Sequence, residues 1–212
     1  MAFQLPQGAW VGEQHLQQRQ YSCAHCGSLV GSNIGTYYLA EGSRPHPLAS
    51  HEFAIHICPF CRQPTYFCHG AQSPAPAFGE PVQNVPQSLN SLYEEARRCT
   101  GANAHTAAVL ASRKILMHIA VEKGAEEGKP FLSYVEYLAS KGYVPPDGKS
   151  WVDHIRSKAN EANHEIALME PADAEDLITF VEMLLKFIYE FPSKVSKRGA
   201  AVLPESINPP TT

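Results

Sequence analysis

The sequence contains no run of eighteen or more apolar residues, so it lacks a segment typical of a membrane-spanning helix. Its first residues, MAFQLPQGAWVGEQ, lack the basic stretch and apolar core of a secretory signal. Positive charge is also scarce, because 17 Lys and Arg residues stand against 21 Asp and Glu residues, which gives a net charge of −4. We therefore expect a soluble cytoplasmic protein with no membrane partner, whose contacts with any nucleic acid are local.

The composition changes along the chain and predicts two domains joined by a linker. Five of the six cysteines lie within the first 70 residues. Residues 71–90 contain four prolines and no sustained period, which is typical of an extended connector. The residues that follow have the periodicity of helices. The predicted organisation is a cysteine-rich domain at 1–72, a linker at 73–90, a helical bundle at 91–192 and a flexible tail at 193–212.

Two Cys-x-x-Cys motifs, formed by Cys23 and Cys26 and by Cys58 and Cys61, are separated by 31 residues. Each motif can bring two sulfurs to one metal ion from a single tight turn, so four thiolates can surround Zn²⁺ as a tetrahedron. Cysteines spaced in this way fit a metal site in a reducing compartment better than a disulfide framework. Because four protein ligands leave no coordination position open, we expect the zinc to be structural.

The segments around these motifs predict a small sheet, and the rest of the chain predicts helices. Strand-like stretches lie at 33–39, 52–57 and 64–67. The cysteine-rich segment has too few apolar residues to fold alone, so a metal ion would supply much of its folding free energy. Apolar residues recur at helical spacing in five later segments, of which Pro192 ends the last. The predicted fold class is therefore α+β, a small β zinc ribbon followed by an all-α antiparallel bundle.

The fourth predicted helix, residues 151–166, carries a polar edge beside its apolar face. Arg156, Asn160 and His164 follow one another at steps of four, so a guanidinium, an amide and an imidazole share that edge. One interpretation is a site in which Arg156 holds a phosphate and His164 acts as an acid or base near neutral pH. The alternative is a structural surface on which these side chains satisfy polar groups of neighbouring helices.

The chain resembles, over roughly residues 20–192, a bacterial domain of unknown function with a zinc-ribbon head and a HEPN-like helical body. HEPN stands for higher eukaryotes and prokaryotes nucleotide-binding. The resemblance rests on the motifs CAHCGS, HICPFC, PTYF, LYEEARRCTGANAHTAAVLASRKIL, IRSKANEANHEI and LLKFIYEFP. It implies a homodimer through the bundle and a place in restriction or anti-phage systems. The implied partners are RNA or another nucleic acid, or a protein of such a defence system.

Many HEPN proteins are metal-independent ribonucleases whose signature is an arginine followed shortly by a histidine at a dimer interface. The resemblance places this pair at Arg156 and His164, with Asn160 as a polar companion. Seven residues separate the pair here, one more than the usual upper limit. Arg113 and His118 satisfy the usual spacing, but they project about 140° apart on a helix that does not carry the family's motif. We favour a non-catalytic module that binds nucleic acid, a nucleotide or a protein, with a ribonuclease as the alternative.

The ribonuclease hypothesis predicts cleavage of end-labelled RNA in buffer that contains EDTA. Attack by the RNA 2′-OH needs only a group that binds the phosphate, Arg156, and a group that moves a proton, His164. Folded Arg156→Ala and His164→Ala variants should each lose the cleavage. If the wild-type protein cleaves none of several RNA classes while all three proteins are folded, the ribonuclease is wrong and the binding module is favoured.

Overall fold

The computed structural model describes residues 12–48, 50–144 and 168–200. The fold is mixed α+β, with a five-stranded antiparallel sheet first and helices after it. The chain divides into two compact units, one made of residues 1–78 and 98–104 and the other of residues 79–97 and 105–212. The first unit therefore runs past residue 72, where the sequence predicted its end. Among the described residues, no helix is long and apolar enough to cross a membrane.

The first unit contains a meander of five strands, each paired with the next along the chain. The strands are Gln14–Ser22 (β1), Leu29–Tyr37 (β2), Phe53–Ile57 (β3), Pro64–Cys68 (β4) and Ala71–Ser73 (β5). Side chains alternate between the two faces of a strand, and Val30, Ala54 and Phe67 lie on the buried face. The three predicted strand segments fall on β2, β3 and β4.

Strand β1 is absent from the sequence prediction for a physical reason. Its sequence, QHLQQRQYS, is mostly polar, and only Leu16 and Tyr21 are buried. The register shifts between His15, which pairs with Ile34, and Arg19, which pairs with Ser32, so residues 16–18 bulge opposite residue 33 alone. A bulge breaks the strict alternation by which a strand is recognised in a sequence.

The second unit is built from helices that bury the apolar faces predicted for them. The helices are Gln87–Gly101 (α1, whose last residues belong to the first unit), His105–Glu122 (α2), Phe131–Ser140 (α3), Pro171–Leu185 (α4) and Phe191–Ala200 (α5), with a π-helix, Lys186–Glu190, between the last two. Tyr93, Ile115, Leu138 and Phe180, from four different helices, are all fully buried. Burial of an apolar side chain of this size contributes roughly 1.5–3 kcal/mol, so these faces stabilise the unit.

The end of the last helix differs from the prediction. Pro192 was expected to end it and residue 193 to begin a flexible tail, but α5 continues to residue 200. The π-helix ends at Glu190, two residues before Pro192, and the Phe191 N–H bonds to the carbonyl of Lys186, five residues back. A proline has no N–H and clashes with the carbonyl four residues before it in a regular α-helix. The wider π turn removes this conflict, so the chain continues as a helix through Pro192.

Residues 74–86, the connector between β5 and α1, contain no helix or strand, and two carboxylates of the second unit accept hydrogen bonds from its backbone. Glu182 of α4 accepts a hydrogen bond from the Glu80 N–H at 2.8 Å, and Glu190 accepts one from the Gln83 N–H at 3.0 Å. Val82, between these two bonds, is 5% exposed. The connector is therefore part of the packed structure, and α1 begins at residue 87, four residues earlier than predicted.

An apolar stripe on the last two helical segments stays exposed in the described part of the chain. Phe187, Phe191 and Val195 are spaced by four residues and are 48%, 51% and 71% exposed. Apolar side chains that follow one another along a helix are typical of a surface that another element covers. The homodimer through the helical bundle remains a prediction.

We expect Glu182→Ala to destabilise the second unit by about 1–3 kcal/mol, because it leaves the Glu80 N–H without its acceptor and Lys186 without its partner. The matched variant Glu175→Ala, at an exposed position of the same helix, should change the free energy of unfolding by less than about 0.5 kcal/mol. Urea unfolding followed by far-UV circular dichroism measures both. Equal effects of the two substitutions would contradict a role for Glu182 in holding the connector.

Candidate metal centre

The structure brings the four predicted metal ligands together. The Sγ atoms of Cys23, Cys26, Cys58 and Cys61 all lie within 4.8 Å of one another. Cys23 and Cys61 are 3.7 Å apart, and Cys26 and Cys58 are 3.8 Å apart. A tetrahedron with metal–sulfur bonds of about 2.3 Å has sulfur–sulfur edges of about 3.8 Å. The four thiols are therefore spaced so that they can hold a metal ion.

The two Cys-x-x-Cys motifs form equivalent turns between paired strands. In the first turn the Gly27 N–H donates to the Cys23 carbonyl at 2.8 Å, and in the second the Arg62 N–H donates to the Cys58 carbonyl at 2.9 Å. Gly27 and Arg62 both have positive φ, 74° and 64°. Glycine adopts this conformation readily, whereas it costs other residues about 1 kcal/mol, so the turn geometry overrides the preference of Arg62. The turns thus place two sulfurs each in the same way.

Burial and hydrogen bonding give the thiols different acidities. Burial raises the pKa of Cys23 and that of Cys61. Burial also acts to raise the pKa of Cys26, but hydrogen bonds from the backbone and hydroxyl of Ser28 outweigh it and lower that pKa to about 7. Because a metal ion binds thiolates, metal binding must displace protons from Cys23 and Cys61.

An aromatic shell packs on the inner side of the centre. Tyr21, Val30 and Phe67 form one buried cluster with Cys23 and Cys58. The rings of Tyr21 and Phe67 meet edge to face with their centroids 5.1 Å apart. Burial raises the pKa of the Tyr21 hydroxyl to about 12. This shell keeps water from the buried sulfurs and so favours a stable metal–thiolate centre.

A family comparison matches residues 94–201 to a family described as Domain of unknown function (DUF4145). The match spans 108 of the 212 residues of the chain. The chain belongs to this family. The DUF4145 match begins within α1 and extends past the end of α5, so it covers most of the second unit and none of the four clustered cysteines. No curated protein and no solved structure gives a significant match.

The predicted catalytic residues, Arg156, Asn160 and His164, lie outside the described residues, although they fall within the DUF4145 match. Of the second Arg-His pair, Arg113 is engaged in packing, since its guanidinium carbon lies 4.5 Å from the centroid of the Phe131 ring. His118 is exposed on α2. The described geometry therefore gives Arg113 a structural contact and does not make this pair a catalytic site.

An aromatic face that was not predicted from the sequence lies on the side of the sheet opposite the core. Tyr38 and Tyr66 are 69% and 41% exposed there, and Phe53 lies between them. Together with Thr36, Ile55 and their neighbours they line an open groove of about 580 Å³. The period of two along β3 and β4 is the signal that could have revealed this face.

We expect Zn²⁺ added to the metal-free, reduced protein to release protons near neutral pH, because burial keeps Cys23 and Cys61 protonated before they bind metal. Affinity should fall as the pH is lowered, since protons compete with the metal for the sulfurs. Calorimetric titrations in buffers of different ionisation enthalpy count the protons. Cys61→Ser should abolish tight binding, while Cys68→Ser should preserve it. Binding without proton release would contradict the raised pKa values of Cys23 and Cys61.

Proposed function

We propose that the chain is a zinc-stabilised binding module for single-stranded nucleic acid. In this proposal the first unit is a zinc ribbon, and the second unit is the HEPN-like bundle that the sequence resembles. The observation that carries the proposal is the exposed aromatic face on a sheet whose turns converge on four cysteines. The ribonuclease alternative rests on Arg156 and His164, which lie outside the described residues, and the place in bacterial defence remains an expectation from the resemblance.

Zinc is the proposed metal, and its proposed role is structural. A set of four sulfur ligands in tetrahedral spacing favours Zn²⁺ or iron over metals that prefer oxygen. Zinc is redox-inactive and has no geometric preference of its own, so it suits a site whose task is to fix two turns. Because Cys23, Cys26, Cys58 and Cys61 would fill all four positions, no place is left at the metal for a substrate.

The aromatic face supports nucleic-acid bases as the ligand. The Tyr38 N–H bonds to the Phe53 carbonyl at 3.0 Å, which sets these residues side by side with their ring centroids 6.1 Å apart. Tyr66 stands on the next strand, where it pairs with Ile55. Exposed aromatic rings on adjacent strands are the surface on which single-stranded bases stack, and each stack contributes about 1–3 kcal/mol.

The charge of the first unit favours single strands over duplexes. Its described residues carry four arginines and three glutamates: Arg19, Arg44, Arg62, Arg98, Glu13, Glu41 and Glu52. Binding to a duplex depends largely on contacts between basic side chains and many phosphates, and its affinity falls steeply with salt. A nearly neutral surface gains little from such contacts. Stacking on the aromatic face would therefore provide most of the affinity, and the salt dependence should be shallow.

We expect the metal-loaded protein to bind fluorescently labelled single-stranded oligonucleotides, as measured by anisotropy. Tyr38→Ala and Tyr66→Ala should each weaken binding by roughly 5- to 150-fold, the equivalent of losing about 1–3 kcal/mol of stacking. Phe60→Ala is the matched control, because Phe60 is an aromatic residue that is 71% exposed and lies in a cysteine turn, away from the aromatic face. The Phe60→Ala variant should bind oligonucleotides with the affinity of the wild type.

Three outcomes would overturn the proposal. The first is that the metal-loaded protein binds neither RNA nor DNA single strands; a protein would then be the expected partner of the aromatic face. The second is tighter binding of a duplex than of a single strand. The third is equal loss of affinity in Phe60→Ala and Tyr66→Ala. Metal analysis of the same preparations would show whether zinc or iron occupies the centre, since iron bound to four thiolates is coloured and zinc is not.

A further inference from the structure

A second, polar cavity lies at the bulge of β1. Its volume is about 300 Å³, and it is lined by β1 residues 16–20 together with Ser50, His51 and His56. Bulges occur frequently beside binding sites because they redirect side chains that a regular strand would place elsewhere. Gly31 of β2 provides the room for this bulge, since a Cβ atom there would collide with the Gln18 side chain.

Arg19 brings a positive charge to this cavity. Its guanidinium lies over the Phe67 ring, 4.4 Å from the centroid, and its Nη2 donates to the His51 carbonyl at 3.4 Å. A guanidinium has five N–H donors, so most of them are left for a ligand. Among the described residues, no carboxylate forms an ion pair with Arg19. The contact with Phe67 restricts the position of the guanidinium, and no carboxylate in the described part of the chain offsets its charge.

His56 lines the same cavity. The residue is only 3% exposed and contacts the rings of Tyr21 and Phe67 edge to face. Its Nδ1 lies 3.2 Å from the Ser32 carbonyl, which can only accept a hydrogen bond, so Nδ1 carries the hydrogen. Burial lowers the pKa of His56, so the ring is neutral and its Nε2 can only accept a hydrogen bond from a molecule in the cavity.

We infer that this cavity binds a phosphate group, with the Arg19 guanidinium donating to its charged oxygens and His56 Nε2 accepting a hydrogen bond from its protonated oxygen. The planar fork of an arginine matches phosphate geometry and forms two parallel hydrogen bonds with it. The glutamines of the bulge and Ser50 offer amide and hydroxyl groups for what remains of the ligand. A volume of about 300 Å³ has room for the phosphate and part of the molecule that carries it.

The inference goes beyond the proposed stacking of bases and does not depend on it. The cavity and the aromatic face share one edge, because His51 of the cavity stacks on Tyr37 of the groove with ring centroids 3.7 Å apart. The phosphate can belong to inorganic phosphate, to a nucleoside monophosphate or to the end of a nucleic-acid strand. These sources share the chemistry that Arg19 recognises, and only binding experiments separate them.

The test is a titration of the metal-loaded 212-residue chain, labelled with ¹⁵N, with each of four probes. The probes are inorganic phosphate, a nucleoside monophosphate, and one oligonucleotide with and without a 5′-phosphate. We expect saturable shifts at the amides of residues 16–20 with every phosphate-bearing probe that fits. Among the oligonucleotides, tighter binding of the phosphorylated one would identify a strand end as the source.

Substitutions distinguish specific phosphate binding in the cavity from nonspecific electrostatic attraction to the protein surface. Arg19→Gln should weaken phosphate binding by at least about tenfold, and Arg19→Lys, which keeps the charge but not the fork, should lie between it and the wild type. The matched control Arg44→Gln, at an exposed arginine of the same unit, should bind phosphate as the wild type does. An unchanged metal content would show that the variants are folded.

Two results would overturn the inference: no saturable binding of any phosphate probe, or equal loss in Arg19→Gln and Arg44→Gln. Its failure is distinguishable from that of the proposed function. If oligonucleotides still bind and Tyr66→Ala weakens them, base stacking stands without the phosphate site. If phosphate binds through Arg19 while no oligonucleotide binds, the cavity stands and the nucleic-acid proposal fails.

Discussion

The convergence of four cysteine sulfurs is the constraint on which the first unit depends. The cluster beneath them contains few large side chains, chiefly Tyr21, Val30 and Phe67. Each contributes roughly 1.5–3 kcal/mol by burial, whereas ordering the backbone costs about 1–2 kcal/mol for every residue. A structural zinc ion bound by thiolates supplies on the order of 10–16 kcal/mol of folding free energy. With zinc bound, the centre would thus outweigh any single packing contact and fix both turns, and with them the strands that carry the aromatic face and the polar cavity.

The features that the sequence predicted correctly are those with local causes. A Cys-x-x-Cys turn is specified by a few consecutive residues, and its chemistry restricts the partners to another such turn. The helices can be predicted from the helical spacing of their apolar residues, and residues of those faces such as Ile115 and Leu138 are buried in the structure. The continuation of the helix through Pro192 could not be predicted from the sequence. It depends on a π turn at Lys186–Glu190, and no local residue pattern indicates such a turn.

The features that the sequence did not show depend on contacts between distant residues. Arg19 and His56 line one cavity because β1 pairs Arg19 with Ser32 and β2 pairs Gly35 with His56, across a bulge. Glu182 resembles an ordinary surface glutamate of a helix, yet it accepts a hydrogen bond from the backbone of Glu80, about a hundred residues earlier in the chain. Register and long-range partners of this kind are fixed by the folded sheet and helices together, not by a local pattern.

The balance of charge in the first unit determines what kind of nucleic-acid ligand it would distinguish. A strongly basic surface gains affinity from every phosphate that it covers, so it favours long polymers. Here Arg19 lies stacked on Phe67 beside the almost fully buried His56, and the remaining charges of the unit nearly cancel. A single phosphate would then account for most of the electrostatic attraction, while the aromatic face contributes through bases. Such a unit would distinguish a ligand by the presence of one accessible phosphate, as in a nucleotide or a strand end, more than by the length of a chain.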